Sequence, residues 1–520
     1  MTKFYLNIFK ILTIAFAVIL LASQIYHTLN FPIWRDDAGF AQIAKSLVNG
    51  DGYAAVLYDK TYPFYSSLGP VSILPAALMI FFFGNQYWVA GVANMLLIWS
   101  LITAIFVVAN GLVGKERKWI FGFFALSLIV LFSIGDNHAT ESGDKLYMWH
   151  LLMGEIPAGL CVILGASLLF FPQASVRKML VGALFLGFAI LTKTITAMAV
   201  AVILAAFAFK VLREKDLTRL RQIRLIFVIG FCIIAPSIIF ELIKIISMGW
   251  SQYWEMKIDV MEAYKHNALI VTSRKSNGMV AASNVLYQLI SLLKLFGLAG
   301  ILLVPVTIYV IYLSYKENSK SHCLLVGTVL SLCFMVHTIW WVRFGLTGAG
   351  RHFITALIYY SCGLSFLLAS LDYRKLSYLA RGTIIIFVFL LFGVRQDSAE
   401  YLFYQGFKGS DEGLKEQLLV IDALKKLEQE NVTMIACGNN FELEYLLPKI
   451  ANFKNCQEIL ENKFDHPVIL VNQLYSKGLI LTIKFEQYYG KFEPIPQSII
   501  SRCNREYLKT KNFSLIWCSI

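Results

Sequence analysis

The stretch FPIWRDDAGFAQIAKSLVNGDGY, Phe31 to Tyr53, sets two adjacent acids, Asp36 and Asp37, directly after the first long apolar run of the chain. Between Asp36 and Gly50, Phe40, Ile43, Ala44 and Leu47 recur at helical spacing. This predicts a short amphipathic helix on a membrane interface, stopped by Gly50, with its polar face towards water. One aspartate at the start of such a helix is explained as a cap for a free backbone N–H. Two in succession ask what else arrives at that face.

The surroundings are those of a polytopic membrane protein. Hydrophobic residues make up 58% of the 520 and charged residues only 15%, with a mean hydropathy of +0.64, well outside the range of ordinary soluble domains. Apolar runs able to cross a hydrocarbon core, at about 20 residues each, recur from Ile8 to about Val394. The net charge of +13 belongs to cytoplasmic loops that orient the spans, and nucleic acid is not an expected partner. Lys3 and Lys10 precede an apolar run longer than the core of a removable leader, so the first span reads as an uncleaved anchor with a cytoplasmic N-terminus.

Loop charge settles the expected threading. If Val71 to Phe83 crossed fully, Lys115, Arg117 and Lys118 would fall outside, against the positive-inside tendency. That segment therefore reads as a half-embedded or re-entrant helix inside a first outer loop at about 31–85. The expected spans are about 8–30, 86–113, 119–134, 154–171, 179–192, 195–210, 223–245, 290–315, 322–341, 353–371 and 381–396, roughly eleven. Trp34, Trp88, Trp340 and Trp341 read as an aromatic belt at the span ends.

Two parts follow: a membrane domain, 1–395, and a soluble extracytoplasmic domain, 396–520. The second pairs a helical stretch, Leu414 to Glu430, with β-type runs at Val432 to Ala436, Val468 to Val471 and Phe513 to Trp517, an α/β pattern with no phosphate-binding glycine motif. Cys161, Cys232, Cys323, Cys333 and Cys362 lie in apolar runs and read as packing residues. Cys437, Cys456, Cys503 and Cys518 fall in the tail without zinc-ligand spacing. Outside the cytoplasm one or two disulfides are expected there, with the pairing open.

The ionisable residues that are hard to explain collect at the outer face: Asp36, Asp37, Asp136, His138, Glu141, Asp144, Glu155, Lys193, and Arg351-His352 at the start of RHFITALIYY. A secondary transporter or proton pump keeps such groups near the midplane, where this chain has almost none. Each has a plainer reading. Glu155 opens a helix and can serve its dipole, Lys193 can snorkel to headgroups, Arg351 can hold lipid phosphate, and His138, His150 and His266 are ordinary loop histidines. Taken together, acids beside cations fit a reaction in which a carboxylate takes a proton from an acceptor hydroxyl while Lys and Arg hold a phosphate leaving group. With no nucleotide-sugar pool outside the cytoplasm, the donor would be linked to a lipid phosphate.

The motifs resemble those of the GT-C membrane glycosyltransferases, nearest to the protein O-mannosyltransferase and aminoarabinose-transferase branch, glycosyltransferase families 39 and 83. DDAGFAQIA, then G-x-G-Y and the re-entrant segment with FFFGNQYWVAGVANML, is similar to that family's first outer loop. GEIPAGLCVILGASLLFF, GALFLGFAILTKTITAMAV and GAGRHFITALIYY follow in the family's order. The resemblance implies an inverting transfer of a hexosyl or pentosyl group from a polyprenyl-phosphate sugar to a lipid, glycan or protein acceptor, in cell-envelope, lipopolysaccharide or protein glycosylation, at the outer face of the inner membrane. It places the catalytic acid at Asp36 and neighbouring acids at Asp37 and Glu155. Donor-phosphate contacts fall at Lys193 and Arg351, with His352 beside them. Some members use a divalent cation; no ligand set is evident here, and metal dependence stays open. The family's Lys-Pro-Pro reads Leu68-Gly69-Pro70, which leaves the donor headgroup and the acceptor open. A lipid or solute transporter, or a polymerase or ligase of lipid-diphosphate glycans, is the alternative.

Overall fold

The computed structural model describes residues 3–30, 33, 35–57, 60–64, 69–132, 134–136, 145–147, 154–172, 174–258, 261, 308–313, 315–316, 321–344, 353–371, 411–430, 432–436, 445–447, 453–455, 468–473, 503–509 and 513–518. Helix α1 (Lys3–Asn30) is followed by α2 (Arg35–Asn49), a hairpin of β1 (Ala54–Leu57) and β2 (Lys60–Pro63), and α3 (Pro70–Phe83). Helices α4 (Val89–Val113) and α5 (Lys118–Phe132), a hairpin of β3 (Ile134–Asp136) and β4 (Lys145–Tyr147), then α6 (Glu155–Leu169), α7 (Val176–Thr192), α8 (Ala197–Leu212) and α9 (Arg219–Met248) come next. Helices α10 (His322–Phe344) and α11 (Ile354–Ser370) complete the described bundle. Five of its helical segments are long and apolar enough to cross a membrane, and the chain is a polytopic helical membrane protein.

Helix α3 behaves as its length dictates. Fourteen residues rise about 21 Å, short of the ~30 Å core, while Leu74, Leu78, Phe81 and Phe82 stay exposed on its outer side. Pro70 occupies its first turn, where no N–H is missed.

The bundle is centred on α6 and α11. All but one residue of α6 and every residue of α11 are buried, and the two lie side by side in parallel: Thr355 Oγ1 donates to the Glu155 carbonyl at 3.4 Å, and Ile358 fills the space beside Gly159. Helix α7 returns antiparallel to α6. A Cβ on Gly182 would stand 2.9 Å from the Gly165 carbonyl oxygen, and one on Gly165 2.8 Å from that of Gly182. Small residues let these backbones approach, as membrane helices require when van der Waals packing drives association.

Beyond the bundle, α12 (Asp411–Gln429) and the strands β5 (Thr433–Ala436), β6 (Phe453–Asn455), β7 (Val468–Gln473), β8 (Cys503–Lys509) and β9 (Phe513–Cys518) form a five-stranded mixed sheet with its helix, strand order β6-β5-β7-β9-β8. Strand β5 runs parallel to β6 and β7, and β9 antiparallel to β7 and β8. The backbones of Cys503 and Cys518 are register partners; Cys437 and Cys456 lie outside the described residues.

Two expectations need correcting. The polar face of α2 does not look towards water: Gln42, Lys45 and Ser46 are all buried. The C-terminal part covers it, and Val420, Ile421 and Leu424 of α12 share one apolar cluster with Ala41, Ile43 and Ala44 of α2 and Ile73 and Ile80 of α3. Trp341 is likewise no belt residue. It is 2% exposed and packs against Phe353 at a 5.2 Å ring separation, because α10 turns that face inward.

Candidate functional site

Helix lengths decide which polar side chains meet. Glu155 lies ten residues before Gly165 on α6, and Lys193 eleven after Gly182 on antiparallel α7. At 1.5 Å per residue both stand about 15 Å from the glycine contact and on the same side of it. They meet as an ion pair: Lys193 Nζ stands 3.0 Å from Glu155 Oε1, with the side chains 16% and 1% exposed.

The local backbone explains why Lys193 can turn inward. Helix α7 stops at Thr192, Lys193 is extended (φ −146°, ψ 112°), and a short 3-10 turn, Thr194–Thr196, leads into α8. The Lys193 carbonyl, released from the helix, accepts from the backbone N–H of Thr196 at 3.0 Å and from its hydroxyl at 2.9 Å. The carbonyl freed at the break is thus hydrogen-bonded within the chain, as a bend between membrane helices requires. Glu155 sits in the first turn of α6, where the positive end of the helix dipole favours a carboxylate.

Helix α3 reaches the same end of α7. A Cβ on Gly69, the residue before α3, would stand 1.9 Å from the Leu191 carbonyl oxygen, so the first loop touches the backbone two residues from Lys193. Asp37 is buried on α2 and Asp36 is in the same first turn, although the Asp36 side chain lies outside the described residues. Arg351 and His352 also lie outside them; Phe353 and Ile354, which follow at the start of α11, are buried. The structure therefore joins Glu155 to Lys193 directly and holds Asp37 on a helix of the adjoining loop. Among the described residues no three of His, Cys, Asp and Glu gather closely enough to hold a metal ion.

Two groups of polar contacts had no counterpart in the sequence reading. The C-terminal part grips the first loop: Lys45 Nζ donates to the Tyr445 and Leu447 carbonyls at 3.2 and 2.5 Å. Gln417 exchanges two hydrogen bonds with the Ile33 backbone at 2.9 and 3.3 Å, Asn85 Nδ2 donates to the Tyr445 carbonyl, and the Tyr445 hydroxyl donates to the Gln86 carbonyl at 2.9 Å. Burial pushes the Tyr445 phenol above its ordinary range, which keeps it a donor. The second group surrounds Glu241 near the end of α9. Lys244, Lys257 and the Tyr253 hydroxyl bond it at 2.8, 2.9 and 2.8 Å, and Lys244 lies over the Phe64 and Phe240 rings. Tyr53 stacks on Phe64 at 5.6 Å, and this packing holds Phe64 at φ 52°, a left-handed conformation rare for a bulky residue. An acid and a base three residues apart at the end of an apolar run, Glu241 and Lys244, were the available signal.

No protein-family model matches the chain, and no curated protein matches it by sequence. Solved structures do match it in fold. ArnT from Cupriavidus metallidurans bound to undecaprenyl phosphate superposes with a TM-score of 0.55 at 14% identity, over 97% of this chain and 97% of that one. Its apo state gives 0.55 at 14%, over 98% and 97%. The oligosaccharyltransferase AglB from Archaeoglobus fulgidus, in complex with an inhibitory peptide and a dolichol-phosphate, gives 0.43 at 10%, over 96% and 74%. At these identities the ArnT likeness establishes the fold alone.

Proposed function

We propose that this chain is a membrane glycosyltransferase that moves a sugar from a polyprenyl-phosphate donor to a lipid, glycan or protein acceptor, at the end of the bundle where α6 and α11 begin and α7 stops. The buried Glu155–Lys193 pair, at 3.0 Å beside the first loop, carries the reading. A lysine has three N–H donors. Glu155 holds the ammonium in place by charge, and its N–H donors would serve a phosphate. Lys193, with Arg351 and His352, would hold the donor phosphate, and a cation held in place before reaction stabilises charge growing on a leaving group.

Asp36 would take the proton of the acceptor hydroxyl as its oxygen bonds to the anomeric carbon. The bond from that carbon to the phosphate oxygen breaks, polyprenyl phosphate leaves, and the carbon inverts. Asp37 would help position the acceptor or a cation. Residues 1–395 then form the catalytic membrane domain, and 396–520 an extracytoplasmic domain that steadies the first loop from the outer face of the cytoplasmic membrane. An ArnT solved with undecaprenyl phosphate in the same fold supports a donor of this class.

The test is mass spectrometry of envelope lipids, glycans and secreted proteins from cells with and without the gene, complemented by wild type or Asp36→Asn. A hexose- or pentose-sized mass lost on deletion and restored by wild type alone is expected, and it names the acceptor class. Unchanged glycans, or full rescue by an Asp36→Asn protein present at wild-type levels, would sink the proposal.

A further inference from the structure

A second site lies among α1, α4 and α5, at the end of the bundle that carries Lys10, Lys115, Arg117 and Lys118. There the helices leave an open-sided slot of about 210 Å³, walled by Ile14, Ala17, Ile102, Thr103, Phe106 and Trp119. The wall is almost wholly apolar, and two of its polar side chains are engaged with their neighbours. The Thr13 hydroxyl is bonded to the Phe9 and Trp119 carbonyls at 2.7 and 3.0 Å, and Trp99 Nε1 donates to Gln24. A bound water needs two to four polar partners, and beyond the Thr103 hydroxyl this wall is almost all carbon. The slot suits a hydrocarbon chain.

Its mouth is charged. The ammonium groups of Lys10 and Lys118 lie 5.7 and 5.2 Å from the centre of the Trp119 ring, and Lys118 also lies 5.6 Å from that of Phe106. Both rings line the slot. Two cations therefore stand where the apolar wall ends, and among the described residues neither is ion-paired. Trp119 is an interfacial residue with an apolar body, well suited to the level of lipid headgroups. Basic pockets between membrane helices on the cytoplasmic side recognise anionic headgroups.

We propose that this slot binds one anionic phospholipid of the cytoplasmic leaflet, an acyl chain between α1, α4 and α5 and the phosphate between Lys10 and Lys118. The site is independent of the transfer reaction and stands at the opposite end of the bundle from Glu155 and Lys193. The lipid would fill space between α1 and α5 that side chains leave open, and so fix the anchor helix against the bundle.

The experiment is native mass spectrometry of the full-length protein, delipidated and titrated with phosphatidylglycerol, phosphatidylcholine or undecaprenyl phosphate. One phosphatidylglycerol should bind selectively over phosphatidylcholine. Each lysine near a lipid surface accounts for roughly fivefold in affinity, so Lys10→Gln with Lys118→Gln should weaken it about 25-fold. Thr103→Phe, at an exposed position on the slot wall, should abolish it with both lysines in place, and it keeps the test decisive if the double variant does not fold. Equal binding of phosphatidylcholine, or indifference to Thr103→Phe, would overturn the proposal. So would undecaprenyl phosphate displacing phosphatidylglycerol from the slot, which would make this a donor-lipid site instead.

Discussion

Replacing Lys193 by Met tests the candidate site through stability, with no knowledge of the substrate. The change takes the cation away from a carboxylate whose side chain is 1% exposed, and breaking one side of a buried pair costs about 3–5 kcal/mol. Glu155→Gln is milder. The lysine left behind is 16% exposed and its stem can carry the ammonium towards water, so the loss is about 1.5–3 kcal/mol, the range for a hydrogen bond to a charged group. In the double variant the pair itself is gone from both sides, and its loss is counted once. We expect it to be more stable than the sum of the single changes predicts by at least about 1 kcal/mol, within the range for residues in direct contact. The assay is reversible unfolding in mixed micelles, followed by tryptophan fluorescence. Strict additivity, or a Lys193→Met protein as stable as wild type, would refute the pairing and with it the argument that Glu155 aims Lys193.

Lys45→Met should loosen the grip of the C-terminal part on the first loop, since the Tyr445 and Leu447 carbonyls lose a charged donor. Amide exchange across α2 and 445–447 should rise by at least tenfold, with the membrane helices unchanged; unaltered exchange in both would count against the contact. Gly182→Leu places a branched side chain against the Gly165 carbonyl and Leu168. The overpacking should cost about 1–3 kcal/mol and lower transfer activity by moving Lys193, and wild-type stability would contradict the close approach. Gln417→Leu removes both bonds to the Ile33 backbone, leaving buried peptide groups unmet at about 1–3 kcal/mol each. A thermal shift in purified protein reads the loss, and a variant melting with wild type would deny that contact.

Much of this was legible in the sequence because it is local. Phe40, Ile43, Ala44 and Leu47 recur at the period of a helix, and α2 forms there. The break at Lys193 was visible as a polar interruption between two apolar runs, and α7 and α8 end and begin around it. What escaped notice is what depends on distant chain. The polar face of α2 was expected to meet water because the carbonyls that bury its Lys45 lie 400 residues away. Trp341 looked interfacial because composition reports depth along a helix and not the face it turns. The partnership of Glu155 and Lys193 needed the Gly165–Gly182 contact to fix the height at which α6 and α7 meet, and each residue had a sufficient explanation alone.

Gly69 carries a consequence for exchanging loops between proteins of this architecture. With the Leu191 carbonyl 1.9 Å from where its Cβ would stand, the sixty-ninth position tolerates no side chain while α7 ends where it does. Grafting the Lys-Pro-Pro of related first loops onto Leu68-Gly69-Pro70 would drive a pyrrolidine ring into the main chain beside Lys193. The first loop is consequently not a cassette that can be swapped alone: the loop and the bend of α7 are two halves of a single fitting and have to be exchanged together.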